Sequence, residues 1–305
     1  MSYFVFDLDE TLAHLSSVYY HIVTLKMRNY VVNQREYMDL YYPKDLHDEL
    51  EKAYDLFVNA VLKQEQSSEP LGILRPGILG VMEGLADLKR KNKVNGVIIY
   101  SNNGYLENLE FVKDLIHRHV GMELIKECVH RFHPMREGDN QGEIPLKTWG
   151  TLKRILVEGS CRASRFIEPK HVYFFDDLHH TDLEMKLGET YYCVSPFSFR
   201  ASVDRINEIY EACLKQTNAN IGLLLLHMVD IVELGDAIVM LNPLQGTMSD
   251  LLGIFHKATQ GTYHAEVPQG FDVGVLMMND AIGEAAKRKR KRRWTMKHRR
   301  YTVKK

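Results

Sequence analysis

The feature that most constrains this chain is a short apolar run that ends in acid: Tyr3-Phe4-Val5-Phe6, then Asp7-Leu8-Asp9. Aromatic and β-branched, too short for a helix and without a polar face, the run reads as a strand buried on both sides, as in parallel sheets. Side chains of an extended segment repeat every two residues, so Asp7 and Asp9 are expected to leave it on the same side. Open α/β sheets bind ligands beyond the carboxyl ends of their strands. Two carboxylates that close resist joint ionisation unless a cation lies between them, so the stretch asks for a metal or a perturbed acid.

The design recurs along the chain. Gly96-Val97-Ile98-Ile99-Tyr100 is a second buried strand, closing in Ser101-Asn102-Asn103-Gly104, and His171-Val172-Tyr173-Phe174-Phe175 is another, closing in Asp176-Asp177. Residues 190–194 and the stretch from Cys128 to Phe132 are further strand candidates. Between them, helical spacing predicts helices over 75–90, over 106–119 with Gly121 as stop, from Pro145 to about Val157, and over 202–215. Lys147 falls in the opening turn of the third of these, where a cation opposes the helix dipole unless it holds an anion. Strand and helix alternating imply a parallel sheet with right-handed crossovers.

After the first strand the sheet pauses. Residues 13–72 hold one amphipathic helix (Leu46, Leu50, Tyr54, Phe57, Val61) and read as an insertion, a cap over the sheet's active edge. The organisation expected is a core of residues 1–12 and 73–216, the insertion 13–72, a mostly helical extension 217–286 and a disordered basic tail 287–305. That tail carries 12 of the 39 Lys and Arg residues and none of the 40 Asp and Glu, so the formal net charge of −1 hides an acidic body and a basic arm. Nuclear import, nucleic-acid attachment or docking on the acidic body are the roles open to it. Trp294 and Tyr301 could stack on bases, which tilts the choice towards nucleic acid. Four widely spaced cysteines without zinc spacing fit a reduced, intracellular chain, and no secretory signal or membrane-length apolar run is evident.

Three strands thus end in Asp-x-Asp, in Ser and in Asp-Asp, with a lysine opening the helix before the last. Four carboxylates, a hydroxyl and an ammonium on one sheet edge make a magnesium and phosphate site, with hard oxygen ligands for the ion and donors for phosphoryl oxygens. Receiver domains place their acidic pair first, whereas here it closes the set. A Gly-x-x-x-x-Gly-Lys-Ser/Thr loop is absent, and a sugar-nucleotide transferase would leave Ser101 and Lys147 unexplained.

In these residues the chain resembles the haloacid dehalogenase superfamily of aspartate-nucleophile phosphatases. Its four motifs have counterparts in Phe4 to Leu12, Ile98 to Ser101, Lys147, and Val172 to Asp177. Asp-Leu-Asp-Glu-Thr-Leu-Ala-His, ending at His14, with Arg75-Pro76-Gly77 further on, is most similar to the branch containing the RNA polymerase C-terminal-domain phosphatases. The likeness covers about residues 1–15 and 73–215. The long insertion, the wider gap from Lys147 to Asp176 and the region after 217 depart from that branch. The resemblance implies a Rossmann-like parallel sheet, Asp7 as nucleophile and Asp9 as acid and base. It further implies magnesium at Asp7, the Asp9 carbonyl and Asp176 or Asp177, with Ser101, Asn102 and Lys147 around the phosphoryl group. A phosphoprotein substrate is the first expectation. A nucleic-acid end phosphatase, or a non-catalytic scaffold of the same fold acting through its tail, are the alternatives.

Overall fold

The computed structural model describes residues 2–26, 44–136, 146–159, 161, 167–222, 224, 247–258 and 272–302. The elements in chain order are β1 (Ser2–Phe6), α1 (Tyr19–Leu25), α2 (Lys44–Glu65), α3 (Ile78–Arg90), β2 (Val94–Tyr100), α4 (Leu106–Val120) and β3 (Ile125–Val129). There follow α5 (Trp149–Glu158), β4 (Val172–Asp176), α6 (Thr181–Leu187), β5 (Tyr191–Cys193), α7 (Val203–Leu214), α8 (Met248–Ala258) and α9 (Val273–Thr302). By contacts the chain divides into two compact units, residues 1–13, 75–198 and 268–305, and residues 14–74 and 199–267.

The first unit is α/β. Its five strands are all parallel, in the order β3-β2-β1-β4-β5. The chain builds outward from β1 through β2 to β3, then returns to the other flank of β1 for β4 and β5, which makes a topological switch between β1 and β4. Phe6 pairs with Ile99 on one side and Phe175 on the other, so the next residues, Asp7, Tyr100 and Asp176, come level at the carboxyl edge. One sheet face carries a stacked aromatic row, Phe6 on Phe175 at 4.9 Å and Phe175 on Tyr192 at 4.8 Å. On the other face Tyr3, Val5, Ile98, Tyr100 and Phe174 pack with Leu152, Ile155 and Leu156 of α5. The second unit is helical among its described residues, with α2 packed on α7 and α1 and α8 completing the layer.

Several expectations move. Helix α5 begins at Trp149, with Thr148 as its cap accepting from the Thr151 amide, so Lys147 lies on the extended segment before the helix rather than in its first turn. A threonine hydroxyl satisfies the orphan amides of a first turn, which outweighs the start signal read into Pro145; that proline lies outside the described residues. Strand β3 runs from Ile125 to Val129, three residues earlier than read, because the chain turns at His130 to His133. Helix α7 belongs to the second unit and not to the sheet core. An amphipathic pattern shows that a helix has an apolar face without saying which layer that face covers. The region read as one extension, 217–286, is shared between the two units. Residues 287–302 continue α9 as a helix in place of the disordered arm expected, since Lys and Arg are good helix formers and the helix is already nucleated where it packs on α3. Among the described residues no helix is long and apolar enough to cross a membrane.

Candidate functional site

The site is built where three neighbouring strands stop. Asp7 follows β1 and its amide still donates to the Phe175 carbonyl at 2.8 Å; Ser101 follows β2 and donates likewise to Val129 at 2.9 Å; Asp176 is the last residue of β4. All three are buried, as is Lys147. The ammonium of Lys147 donates to Asp7 Oδ1 and to Asp176 Oδ2, each at 2.6 Å, from above the faces of Tyr100 and Phe174. One cation is therefore shared by two carboxylates in a nearly dry space.

Burial raises the Asp7 pKa, and Lys147 does not fully offset it because Asp176 repels from the other side. Burial would also raise Asp176, but Lys147 and His180 outweigh it and hold that carboxyl low. Asp176 further accepts from the Leu178 amide at 2.9 Å, and His180 Nε2 lies 3.2 Å from its Oδ2. Asp176, with Lys147, the Leu178 amide and His180 beside it, is better supplied with donors than Asp7. Burial opposes the charge on Lys147, yet its two carboxylates win and raise it.

Two more acids complete the group. Asp9 accepts from Asn103 Nδ2 at 3.2 and 3.1 Å, and burial, then repulsion from Asp7, pushes its pKa up to about 6. Asp177 accepts from the Thr11 hydroxyl at 3.2 Å and is pushed to about 6 by burial first and by Asp7 and Asp176 next. Asp7, Asp176 and Asp177 each offer an oxygen atom, all within 4.8 Å of one another. Such an oxygen set could hold a hard divalent cation, and the raised acids would be relieved by one.

Of the residues singled out from sequence, Asp7, Asp9, Ser101, Lys147, Asp176 and Asp177 meet here. Asn102 is beside them but turned: its Oδ1 accepts from Arg136 Nη2 at 2.7 Å. A guanidinium only donates, so this end of the amide must be oxygen, and the NH2 is the end with which Asn102 can donate. Sequence reasoning missed Arg136, a buried residue that also donates to the Ser101 carbonyl and sits 4.7 Å from the Tyr100 ring. It lies in a polar loop whose lack of periodicity carried no signal. Asn103 and Thr11 were inside the runs quoted, and nothing but their contacts marks them out. Compared with protein-family models, curated proteins and solved structures, the chain matches none.

Proposed function

We propose that this chain is a magnesium-dependent phosphatase of the haloacid dehalogenase type, which hydrolyses a phosphomonoester through an aspartyl-phosphate on Asp7. The observation that supports it most is the meeting of Asp7, Ser101, Lys147 and Asp176 at the switch point of the sheet. A carboxylate at that point has a parallel sheet behind it and donors around it, which favours an oxygen nucleophile over a purely structural ion pair.

In this reading an Asp7 oxygen forms a bond to phosphorus as the ester P–O bond breaks, and Asp9 gives its proton to the departing oxygen. Asp9, now a carboxylate, takes a proton from water; the water oxygen bonds to phosphorus, the Asp7–P bond breaks and inorganic phosphate leaves. A value of about 6 suits Asp9 to carry a proton in both directions near neutral pH, and Asn103 holds its carboxyl in place. Ser101, the NH2 of Asn102 and Lys147 would donate to the transferring oxygens. Asp7, Asp176 or Asp177 and the Asp9 carbonyl would hold Mg2+, which supplies charge neutralisation between nucleophile and phosphate. The insertion read from the sequence, residues 13–72, would be the cap that selects the substrate. The resemblance of the motif ending at His14 favours a phosphoprotein.

The test is hydrolysis of an aryl phosphate with magnesium and with chelator. Asp7→Asn should lose at least about three orders of magnitude in turnover while retaining the fold. Wild-type turnover in that variant would end the reading.

A second reading is favoured by the charge of residues 287–305, with 12 bases and no acid. It is a nucleic-acid ligand, either as an end-phosphate substrate or as the target of a non-catalytic scaffold, and the same run would serve nuclear import. Counterion release would make such binding fall steeply with salt, and comparing turnover on a phosphopeptide and a 3′- or 5′-phosphorylated oligonucleotide separates the substrates.

A further inference from the structure

The turn that carries Asp9 is held from behind by a buried arginine. Arg75, with its side chain 1% exposed, donates through Nε to the Thr11 carbonyl at 2.8 Å and through Nη2 to the carbonyls of Glu10 at 2.6 Å and Ser195 at 2.5 Å. Its Nη1 donates to both oxygens of Asp272, at 2.9 and 3.0 Å. A guanidinium presents its donors in one rigid plane, so acceptors that surround it are fixed relative to one another. Two of these acceptors belong to the residues that follow Asp9.

The turn needs such a hold. Glu10 has φ 57, a left-handed conformation that a non-glycine residue keeps only when its surroundings impose it. Inside the turn, Glu10 N donates to Ala13 O at 2.9 Å and Leu12 N to Leu8 O at 2.9 Å, and from outside the Phe197 amide donates to the Glu10 carbonyl at 2.7 Å. Carbonyls accept the guanidinium without balancing its charge. Among the described residues Asp272 is the carboxylate that does so.

Asp272 is in turn fixed. It precedes α9 and accepts from the Val275 amide at 3.1 Å, a cap on that helix. The next turn passes so close that a Cβ on Gly274 would lie 2.6 Å from Arg75 Nη1 and 3.0 Å from Asp272 Oδ1. Glycine is required there for the approach, and the approach is to the ion pair.

We propose that Asp272, from the far end of the chain, is a positioning residue for Asp9: through Arg75 it fixes the Glu10–Thr11 turn and thereby the aim of the Asp9 carboxyl. What Asp9 does rests on the phosphatase reading; what Asp272 holds rests on geometry alone. The C-terminal segment that opens α9 is then part of the reacting unit, whatever its basic end binds.

The test uses the full chain with Asp272→Asn, which keeps the shape and removes the charge, and with Gly274→Ala as a second variant that crowds the pair. Two quantities are read. One is kcat/KM on p-nitrophenyl phosphate, whose leaving group departs without a proton, against an alkyl phosphate, whose leaving group needs one. The other is amide exchange of residues 8–13 against β2. A misaimed Asp9 should cut alkyl phosphate hydrolysis by about 10- to 100-fold and the aryl ester by no more than about 3-fold, with exchange in 8–13 faster by about tenfold and β2 unchanged. A merely structural role would slow both esters by one factor. That result, or unchanged exchange in both variants, overturns the proposal. A wild-type chain that hydrolyses neither ester while exchange rises in the variants would count against the phosphatase reading and support the hold of Asp272 on the turn.

Discussion

Each unit of this protein buries a nest of titratable groups, and the two nests are neutralised in opposite ways. In the second unit His21 is fully buried, its Nε2 2.8 Å from Asn207 Oδ1, between Phe57, Tyr210 and Phe255. Burial pushes that imidazole down to about 4, so at neutral pH it is uncharged, and the neighbouring Tyr210 hydroxyl is paired with Thr24 at 2.8 Å. That nest carries no formal charge and is walled by aromatic rings. The first unit instead sets one ammonium among four carboxylates, with Asp9 and Asp177 raised to about 6 and Asp7 raised too. Paired polar groups suffice to order a core, and surplus buried charge costs stability. Such a surplus is what the proposed phosphatase chemistry would need, and the His21 nest has none of it.

The largest effect is expected at Lys147. Lys147→Met strands Asp7 and Asp176 without their shared cation, and removing one partner of a buried pair typically costs about 3–5 kcal/mol. Urea unfolding at pH 7.5, in the presence of chelator, should show a loss of that size. A loss under about 1 kcal/mol would mean that Asp7 and Asp176 share a proton and that Lys147 is not what balances them.

The next effect belongs to His21. An imidazole whose folded value is lowered destabilises the fold when the unfolded chain can take up a proton that the folded one refuses. Stability is thus lost as pH falls from the ordinary histidine value towards about 4. His21→Gln keeps an amide that can pair with Asn207 and cannot titrate. The variant should be less stable than wild type at pH 7.5, from imperfect packing, and the gap should shrink by about 3 kcal/mol by pH 4. Reading the difference between the two proteins cancels Glu65, which burial raises to about 7 in the same unit and whose effect on stability runs the other way with pH. A gap that stays constant would show that His21 is protonated within the fold.

The two nests were not equally legible in sequence. The acids of the first were readable because short apolar runs end on them, and a strand that ends in acid has few structural excuses. Lys147 was found through the company it keeps, but its placement was wrong by the first turn of a helix, since Thr148 caps where Pro145 was read as the start. Arg136 and the Arg75–Asp272 pair were invisible as contacts because their partners lie far off in the chain, and no local pattern encodes a tertiary pairing. His21 was invisible as well: it stands in a tyrosine-rich stretch ambiguous between helix and hairpin, and its partner Asn207 lies on a helix read as part of the sheet core. Layer assignment is what amphipathicity leaves out, so most of the second unit had to come from the structure.

Asp9 gives the smallest effect on stability, and it links the surplus charge to the proposed chemistry. Its carboxyl is raised to about 6, mainly by burial and then by Asp7, so ionising it is harder in the folded chain than in the unfolded one. As pH rises from about 4 through 6 the unfolded chain gives up this proton first, and the wild type loses stability over that window. Asp9→Asn has no proton to lose and can still accept from Asn103. It should therefore match the wild type below pH 4 and exceed it by about 2 kcal/mol at pH 8, the full shift being reduced by the carboxyl's partial exposure. Hydrolysis of an alkyl phosphate should fall at the same time by about 10² to 10⁴. Gain of stability with loss of turnover is the signature of a charge kept for reaction. If the variant were less stable than wild type at pH 8, the Asp9 carboxylate would be a supporting partner of the turn, and the contrast with the His21 nest would rest on Asp7, Asp176 and Asp177 alone.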